Sequence, residues 1–473
     1  MQRDETTAVG ATKFSWRRRD HTRGSLLVSL GVLALPSICT SMVGAAAYQL
    51  IDLKFVSLLG ATPLAAVVVT NQSLRQIAFL LVMGTSVGAQ AIIARSVGAG
   101  KTEDADHVAG QVLLLGSLFC VVFALVGGLF PRELLGLVAS DPAVLAAGVP
   151  YVRLTFILMF GFILIPLFGS ILNGAGDSTT PMVVTVLAAP VSLFAEWCLI
   201  FGHLGAPAFG VTGVALGASL GSLLGLTLAG WVLLAGHSRV HLKLRHFVPD
   251  WRVLRQLLQI SWQPTLHLAG RTLVIVYFLV LAGRFGAEVQ AAYGIGIRLE
   301  MVAFMLAFPI ANACATLVGQ NLGAGSRRRA WRAVGVASAI SVVVCWLFAA
   351  VFFLFREPLM ALFSDDPAVI AVGTEYLLFV AASMLFIGPY FVAFRALQAA
   401  EDMTTPMLIS NGSAVLVAVP LGHFLATATS LGPTGLWIAI LVYSVVNSGA
   451  TLAWLATGRW TRRRLLSPMH SQA

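Results

Sequence analysis

Six ionisable side chains, Asp52, Arg75, Glu196, Arg271, Arg298 and Glu300, interrupt stretches that are otherwise apolar. A charge inside a hydrocarbon-spanning helix is expensive, and by default it marks an ion path, a proton relay or a counter-ion for a ligand. Asp52 falls in the outward part of the first such stretch. Glu196 lies sixteen residues into a span that begins near residue 180, a rise of roughly 24 Å at about 1.5 Å per residue. Both acids therefore belong to the outer half of the N-terminal set of helices, at compatible depth. A carboxyl group in an apolar cleft resists ionisation, and a second acid nearby deepens that resistance. Such a pair takes up a proton near neutral pH and releases it when wetted, which is the chemistry of an antiporter. The competing reading is a salt bridge, in which Arg75 or Lys54 neutralises either acid and merely joins helices. Gln49, Asn71 and Gln72 add polar lining to the same region.

The second group is His267, Arg271, Arg298 and Glu300. Arg298 and Glu300 are two residues apart and so point to different helix faces. Glu300 would attract a cationic compound and the arginines an anionic or zwitterionic one, unless these charges only lock helices together. Aromatic and methionine side chains such as Tyr277, Tyr293, Met301, Phe304 and Phe308 would make an adaptable wall, although each is also ordinary packing. Pro36 and its near-counterpart Pro264 remove backbone hydrogen bonds within spans and are the hinge candidates; a fixed kink is the plainer alternative.

The elements that must hold these residues are membrane helices. Of 473 residues, 58% are hydrophobic and 11% charged, against about 25% charged in soluble domains, which excludes an ordinary soluble enzyme. A bilayer core of about 30 Å needs roughly 20 helical residues, and that ruler predicts twelve spans. Six cover 26–57, 63–95, 106–130, 142–171, 180–202 and 208–236; six more cover 253–283, 288–321, 331–355, 367–397, 405–427 and 433–457. The domains expected are a basic cytoplasmic segment 1–24, a six-helix lobe 25–236, a linker 237–251, a second six-helix lobe 252–458 and a basic tail 459–473. With both termini cytoplasmic, 21 Lys and Arg side chains fall inside and only Arg132, Arg284 and Arg356 outside, so the positive-inside rule sets the orientation. The net charge of +10 is then a topogenic signal and not a nucleic-acid footprint. The five cysteines form no paired or clustered pattern, which argues against disulfides and zinc. No phosphate-binding GxxxxGK[ST] sequence occurs, so the chain alone is not expected to use ATP.

The two sets of spans repeat. The segments 97–100 and 322–325 (VGAG, LGAG), 141–144 and 366–369 (DPAV), and 179–182 and 404–407 (TTPM) are each 225 residues apart. Six spans per copy is even, so the copies enter from the same side as a parallel repeat. Glu300 is by this offset the counterpart of Arg75. A transporter with its site between two lobes leads; a scaffold would not need paired intramembrane acids. A major-facilitator carrier would show a DRxGRR-like loop where residues 95–107 read RSVGAGKTEDADH.

Taken together, the GAG after the second span of each lobe, LNGAGDSTTPM (172–182), LVGQNLGAG (317–325) and YQLIDLKFVSLLG (48–60) resemble the multidrug and toxic compound extrusion (MATE) family, most closely its DinF-like prokaryotic branch. The resemblance covers residues 26–457. It implies an all-α membrane protein of twelve helices in two pseudo-symmetric six-helix bundles, V-shaped, that exports organic, often cationic, compounds in exchange for protons or sodium. Asp52 falls on the family's acid in the first span, and Glu196 on the acid of the fifth. Ser192 stands one turn before Glu196 where members commonly have Asn, which favours a proton relay over a sodium cage needing several oxygens at fixed distances. The family's alternative acids of the seventh and tenth spans are missing from the segments 264–273 and 388–398, where only Arg271 and Arg395 stand. The expectation is thus a monomeric, proton-coupled multidrug antiporter of the inner cell membrane. It needs no cofactor or resident metal, has the bilayer and a small organic molecule as partners, and binds no nucleic acid. Sodium coupling, or a lipid-linked or polysaccharide flippase of the wider superfamily, is the alternative.

Overall fold

Each of the three repeated tetrapeptides sits at a helix boundary, and the reason is local chemistry. In DPAV the aspartate caps and the proline opens a helix: Asp141 Oδ1 accepts from Ala143 N at 2.8 Å and Asp366 Oδ1 from Ala368 N at 2.9 Å, with Pro142 and Pro367 as first helical residues. That combination satisfies an orphan amide where proline has none to lose. Before TTPM, Asp177 Oδ1 accepts from Thr179 N and Thr180 N. In the GAG segments Gly100 and Gly325 both take φ +74°, the left-handed conformation that stops a helix and that glycine adopts without strain.

The computed structural model describes residues 19–462; residues 1–18 and 463–473, with Arg3, Lys13, Arg17, Arg18, Arg463 and Arg464, lie outside them. The described chain is helical throughout, with no strand among the described residues. Twelve helices are long and apolar enough to cross a membrane. We label them α1 (Leu26–Ser57), α2 (Ala61–Gly98), α3 (Thr102–Leu129), α4 (Pro142–Ala175), α5 (Thr179–Phe201), α6 (Val211–Leu234), α7 (Trp251–Gly283), α8 (Ala287–Gly323), α9 (Arg327–Leu354), α10 (Pro367–Ala399), α11 (Thr404–Thr427) and α12 (Pro433–Ala456). The expected spans agree with them to within four residues. The largest differences, four residues each, are at the end of α4 and at the starts of α3 and α9, where Glu103, Asp104 and Arg327–Arg329 extend the helix as solvated turns. A lipid-facing stripe shows on α3, where Leu118, Val121, Leu125 and Leu129 are all more than half exposed at helical spacing.

Three of these helices contain a π-helical turn: Met42–Ala47 in α1, Thr70–Leu74 in α2 and Ala414–Ala418 in α11. By contrast α1 and α7 run on through Pro36 and Pro264. The chain forms two compact units. One holds Gly31–Ser261 with the described residues before Ser25, and the other holds Ser25–Leu30 with the chain from Trp262 onward. In the first unit the segment 237–250 is tied to the start of α3. Gln111 Nε2 donates to His246 O (2.9 Å) and Val248 O (2.7 Å), and its Oε1 accepts from Asp250 N (2.9 Å). Asp106 Oδ1 accepts from His241 N at 2.8 Å, and Glu103 engages both Arg245 and His246. In the second unit a core around Phe278, Tyr293, Tyr376, Met384 and Trp437 fills the space between α7, α8, α10, α11 and α12.

Candidate functional site

Asp52 and Glu196 come together in the first unit, through a residue that spacing alone did not single out. Glu196 is fully buried, and its Oε1 accepts a 2.5 Å hydrogen bond from the Tyr48 hydroxyl. Tyr48 directly follows the π turn of α1 and stands one turn before Asp52, on the same face of the helix. Asp52 lies within electrostatic reach of both Glu196 and Arg75. Glu196 Oε2 and Asp52 Oδ1 are buried without a hydrogen-bond partner. Neither acid has a Lys, Arg or His nitrogen within the 4.0 Å of an ion pair.

Arg75 goes elsewhere. Its Nη1 donates to Asn71 Oδ1 at 2.8 Å, and its guanidinium carbon lies 4.2 Å from the centre of the Phe162 ring. Tyr151 donates to the same Asn71 oxygen at 3.4 Å. Asn71 lies inside the π turn of α2 and Arg75 directly after it. Lys54 makes no ion pair with either acid, and Gln49 is exposed without hydrogen bonds to the acid pair.

The position of Glu196 is set by glycines on α6. A Cβ at Gly217 would lie 2.4 Å from Glu196 N, and one at Gly221 would lie 1.8 Å from Ser192 Oγ. Gly213 meets the Leu199 and Ile200 backbone in the same way. The four-residue glycine spacing lets two membrane helices approach closely, and it presses the Ser192–Glu196 face of α5 against α6.

The second unit holds an open cavity whose space, counted with its mouth, is about 1070 Å³. Arg271, Tyr293 and Glu300 line it; Arg298 is exposed on the other face of α8 and does not. Glu300 Oε1 accepts from the Tyr376 hydroxyl at 2.5 Å. Gly296 makes this bond reachable, since a Cβ there would lie 2.0 Å from the Tyr376 ring. Tyr293 stacks on Trp437 with ring centres 5.7 Å apart. Tyr151 and Tyr376, bonded respectively to Asn71 and Glu300, are themselves 225 residues apart, so the repeat offset would have found them.

A family model described as MatE matches residues 36–198 and 268–424. A probable multidrug resistance protein NorM from Thermotoga maritima is 25% identical over 82% of this chain and 83% of its own length. An FAD transporter from Shewanella oneidensis is 25% identical over 84% and 87% respectively. Among solved structures, a MOP superfamily transporter from Pyrococcus furiosus, reported as having a binding pocket of reverse polarity, superposes with a TM-score of 0.85. It covers 94% of this chain and 98% of that one at 21% identity.

Proposed function

The chain belongs to the MatE family, and from that premise we propose that it is a multidrug efflux transporter exchanging organic compounds for protons taken up by Asp52 and Glu196. The relatives' names, multidrug resistance proteins among them, support export of varied organic molecules. The observation that carries the coupling reading is that buried Glu196 is held by Tyr48, one turn from the partly buried Asp52, with no Lys, Arg or His nitrogen among the described residues in ion-pair contact with either acid. A structural salt bridge would hold the carboxylate ionised; here each acid keeps a buried oxygen without a partner.

A proton added to either carboxyl turns an acceptor into a donor, so the hydrogen bonding between α1 and α5 must rearrange. The first helix is built to yield at this point. Pro36 deletes one backbone hydrogen bond, and the π turn Met42–Ala47 weakens the ladder just before Tyr48. Pro264 gives α7 an equivalent weak point, and motion about these positions would open the binding space alternately to the two sides. Protons suit the site better than sodium. The amide oxygen of Asn71 is already taken by Arg75 and Tyr151, and Ser192 faces α6, so few oxygens remain to build a cage for a hard cation. Charge placement supports cytoplasmic termini in a multi-pass membrane protein.

The test is efflux of ethidium from proteoliposomes driven by an imposed pH or sodium gradient, for wild type and Asp52→Asn. The reading requires pH-driven efflux in wild type and its loss in Asp52→Asn. Undiminished pH-driven efflux in the variant removes Asp52 from coupling, and drive by sodium alone replaces the proton.

A further inference from the structure

The cavity of the second unit contains a charge that the fold does not balance. Arg271 projects from α7 beside the Phe304 ring, its guanidinium carbon 5.1 Å from the ring centre. Among the described residues it has no hydrogen-bond partner, and no carboxylate oxygen lies within ion-pair distance. The acid nearest in electrostatic terms, Glu300, is engaged by the Tyr376 hydroxyl at 2.5 Å. Guanidinium does not deprotonate in proteins, so it cannot escape this environment by losing its charge, and an unpaired ion at membrane depth is costly.

A further polar atom is left open in the same cavity. His267, one turn before Arg271 on the same face of α7, is more than nine-tenths buried, and its Nδ1 has no hydrogen-bond partner. It lines the cavity with Arg271. The remaining wall is aromatic. Tyr293, Phe304 and Phe391 face the space, and Phe304 meets Phe391 edge-on with ring centres 5.2 Å apart.

We propose that this cavity binds an aromatic carboxylate, its anion paired with Arg271 and its ring held among Tyr293, Phe304 and Phe391. Carboxylate and guanidinium pair bidentately through two parallel hydrogen bonds, which supplies the counter-charge the fold omits. His267 Nδ1, as the protonated nitrogen of a neutral ring, donates to the same anion. A cation is the poorer occupant, because the acid it needs is bonded to Tyr376 and it would meet the guanidinium. The proposal deepens the transporter reading and rests on it only in making the occupant a substrate.

Isothermal titration of the purified full chain with 2-naphthoate, its methyl ester and 2-naphthyltrimethylammonium tests the site. Wild type is expected to bind one naphthoate saturably, at least ten-fold tighter than the ester or the cation. Arg271→Gln should lose that preference, and Arg271→Lys should keep part of it. Absence of saturable naphthoate binding, equal affinity for all three probes, or a preference surviving in Arg271→Gln each overturns the proposal. Should Arg271→Gln not fold, photolabelling of wild type with 4-benzoylbenzoate decides. Naphthoate-protected labels at the cavity-lining residues of α7, α8, α10, α11 or α12 support the site, and labels elsewhere sink it. Binding does not depend on an ion gradient, so loss of the Asp52 coupling reading would leave this result standing, and the reverse also holds.

Discussion

Replacing Gly217 by alanine probes the contact that places Glu196. The added Cβ would lie 2.4 Å from Glu196 N, 2.5 Å from its Cγ and 2.6 Å from its Cα. Two of these atoms are backbone and cannot rotate aside, so α5 and α6 must part by about 1 Å to restore contacts of about 3.5–4.0 Å. Overpacking of this kind costs about 1–3 kcal/mol, while alanine returns up to about 1 kcal/mol of helix propensity. The expected net loss is about 1–2 kcal/mol in an SDS-unfolding titration of the purified chain. Because Cγ is displaced as well, the Tyr48–Glu196 bond lengthens and pH-driven ethidium efflux falls with it. The control is Gly230→Ala, where the new Cβ meets nothing within 4 Å and stability should rise by about 0.5–1 kcal/mol. A Gly217→Ala chain as stable and as active as wild type would refute the close-packing account of this site.

Tyr48→Phe removes a hydrogen bond to a buried carboxyl, worth about 1.5–3 kcal/mol when the partner is charged. It should slow pH-driven efflux ten-fold or more, whereas Tyr151→Phe, whose bond to Asn71 is 3.4 Å long, should slow it about two-fold at most. Gln111→Ala deletes three hydrogen bonds to the 246–250 segment and should raise amide exchange there at least ten-fold without changing the α1–α5 contacts. His21 is outside the spans and fully buried, with its Nε2 against Gly176 O at 3.2 Å. Burial, only partly offset by that hydrogen bond, holds its imidazole down at about 4, against about 6.5 when undocked. Its docking is therefore fully favoured above pH 6.5 and weakens as pH falls towards 4, by about 3 kcal/mol in total. Proteolysis near residues 19–24 should accelerate between pH 7 and 5 in wild type, and His21→Phe should abolish that pH dependence.

The spans were legible because hydropathy and length suffice to find a membrane helix, and the repeated caps marked where helices begin and end. Asp52 and Glu196 were legible for a related reason: an acid in an apolar run has no routine explanation. Tyr48 was not, since tyrosine is ordinary in such helices and only the three-dimensional pairing makes it distinctive. The competing bridge from Arg75 to an acid does not form, because Asn71 and Phe162 engage the guanidinium. The glycines of α6 stand at regular spacing, but spacing alone does not tell a close helix contact from ordinary membrane-helix composition. Arg298 shows the limit of depth arguments: it shares a level with Glu300 but faces away from the cavity.

The π turn in α1 makes the acid pair sensitive to helix geometry as well as to side-chain identity. Such a turn carries one residue more than the α turn it replaces. Were Met42–Ala47 to relax to α geometry with every residue kept, everything downstream would rotate by about 100°. Tyr48 and Asp52, one turn apart, would swing together away from Glu196 with every side chain intact. Deleting one residue of the turn removes the surplus instead and leaves both facing Glu196, so a homologue one residue shorter here keeps the acid pair behind what column-by-column comparison scores as a gap.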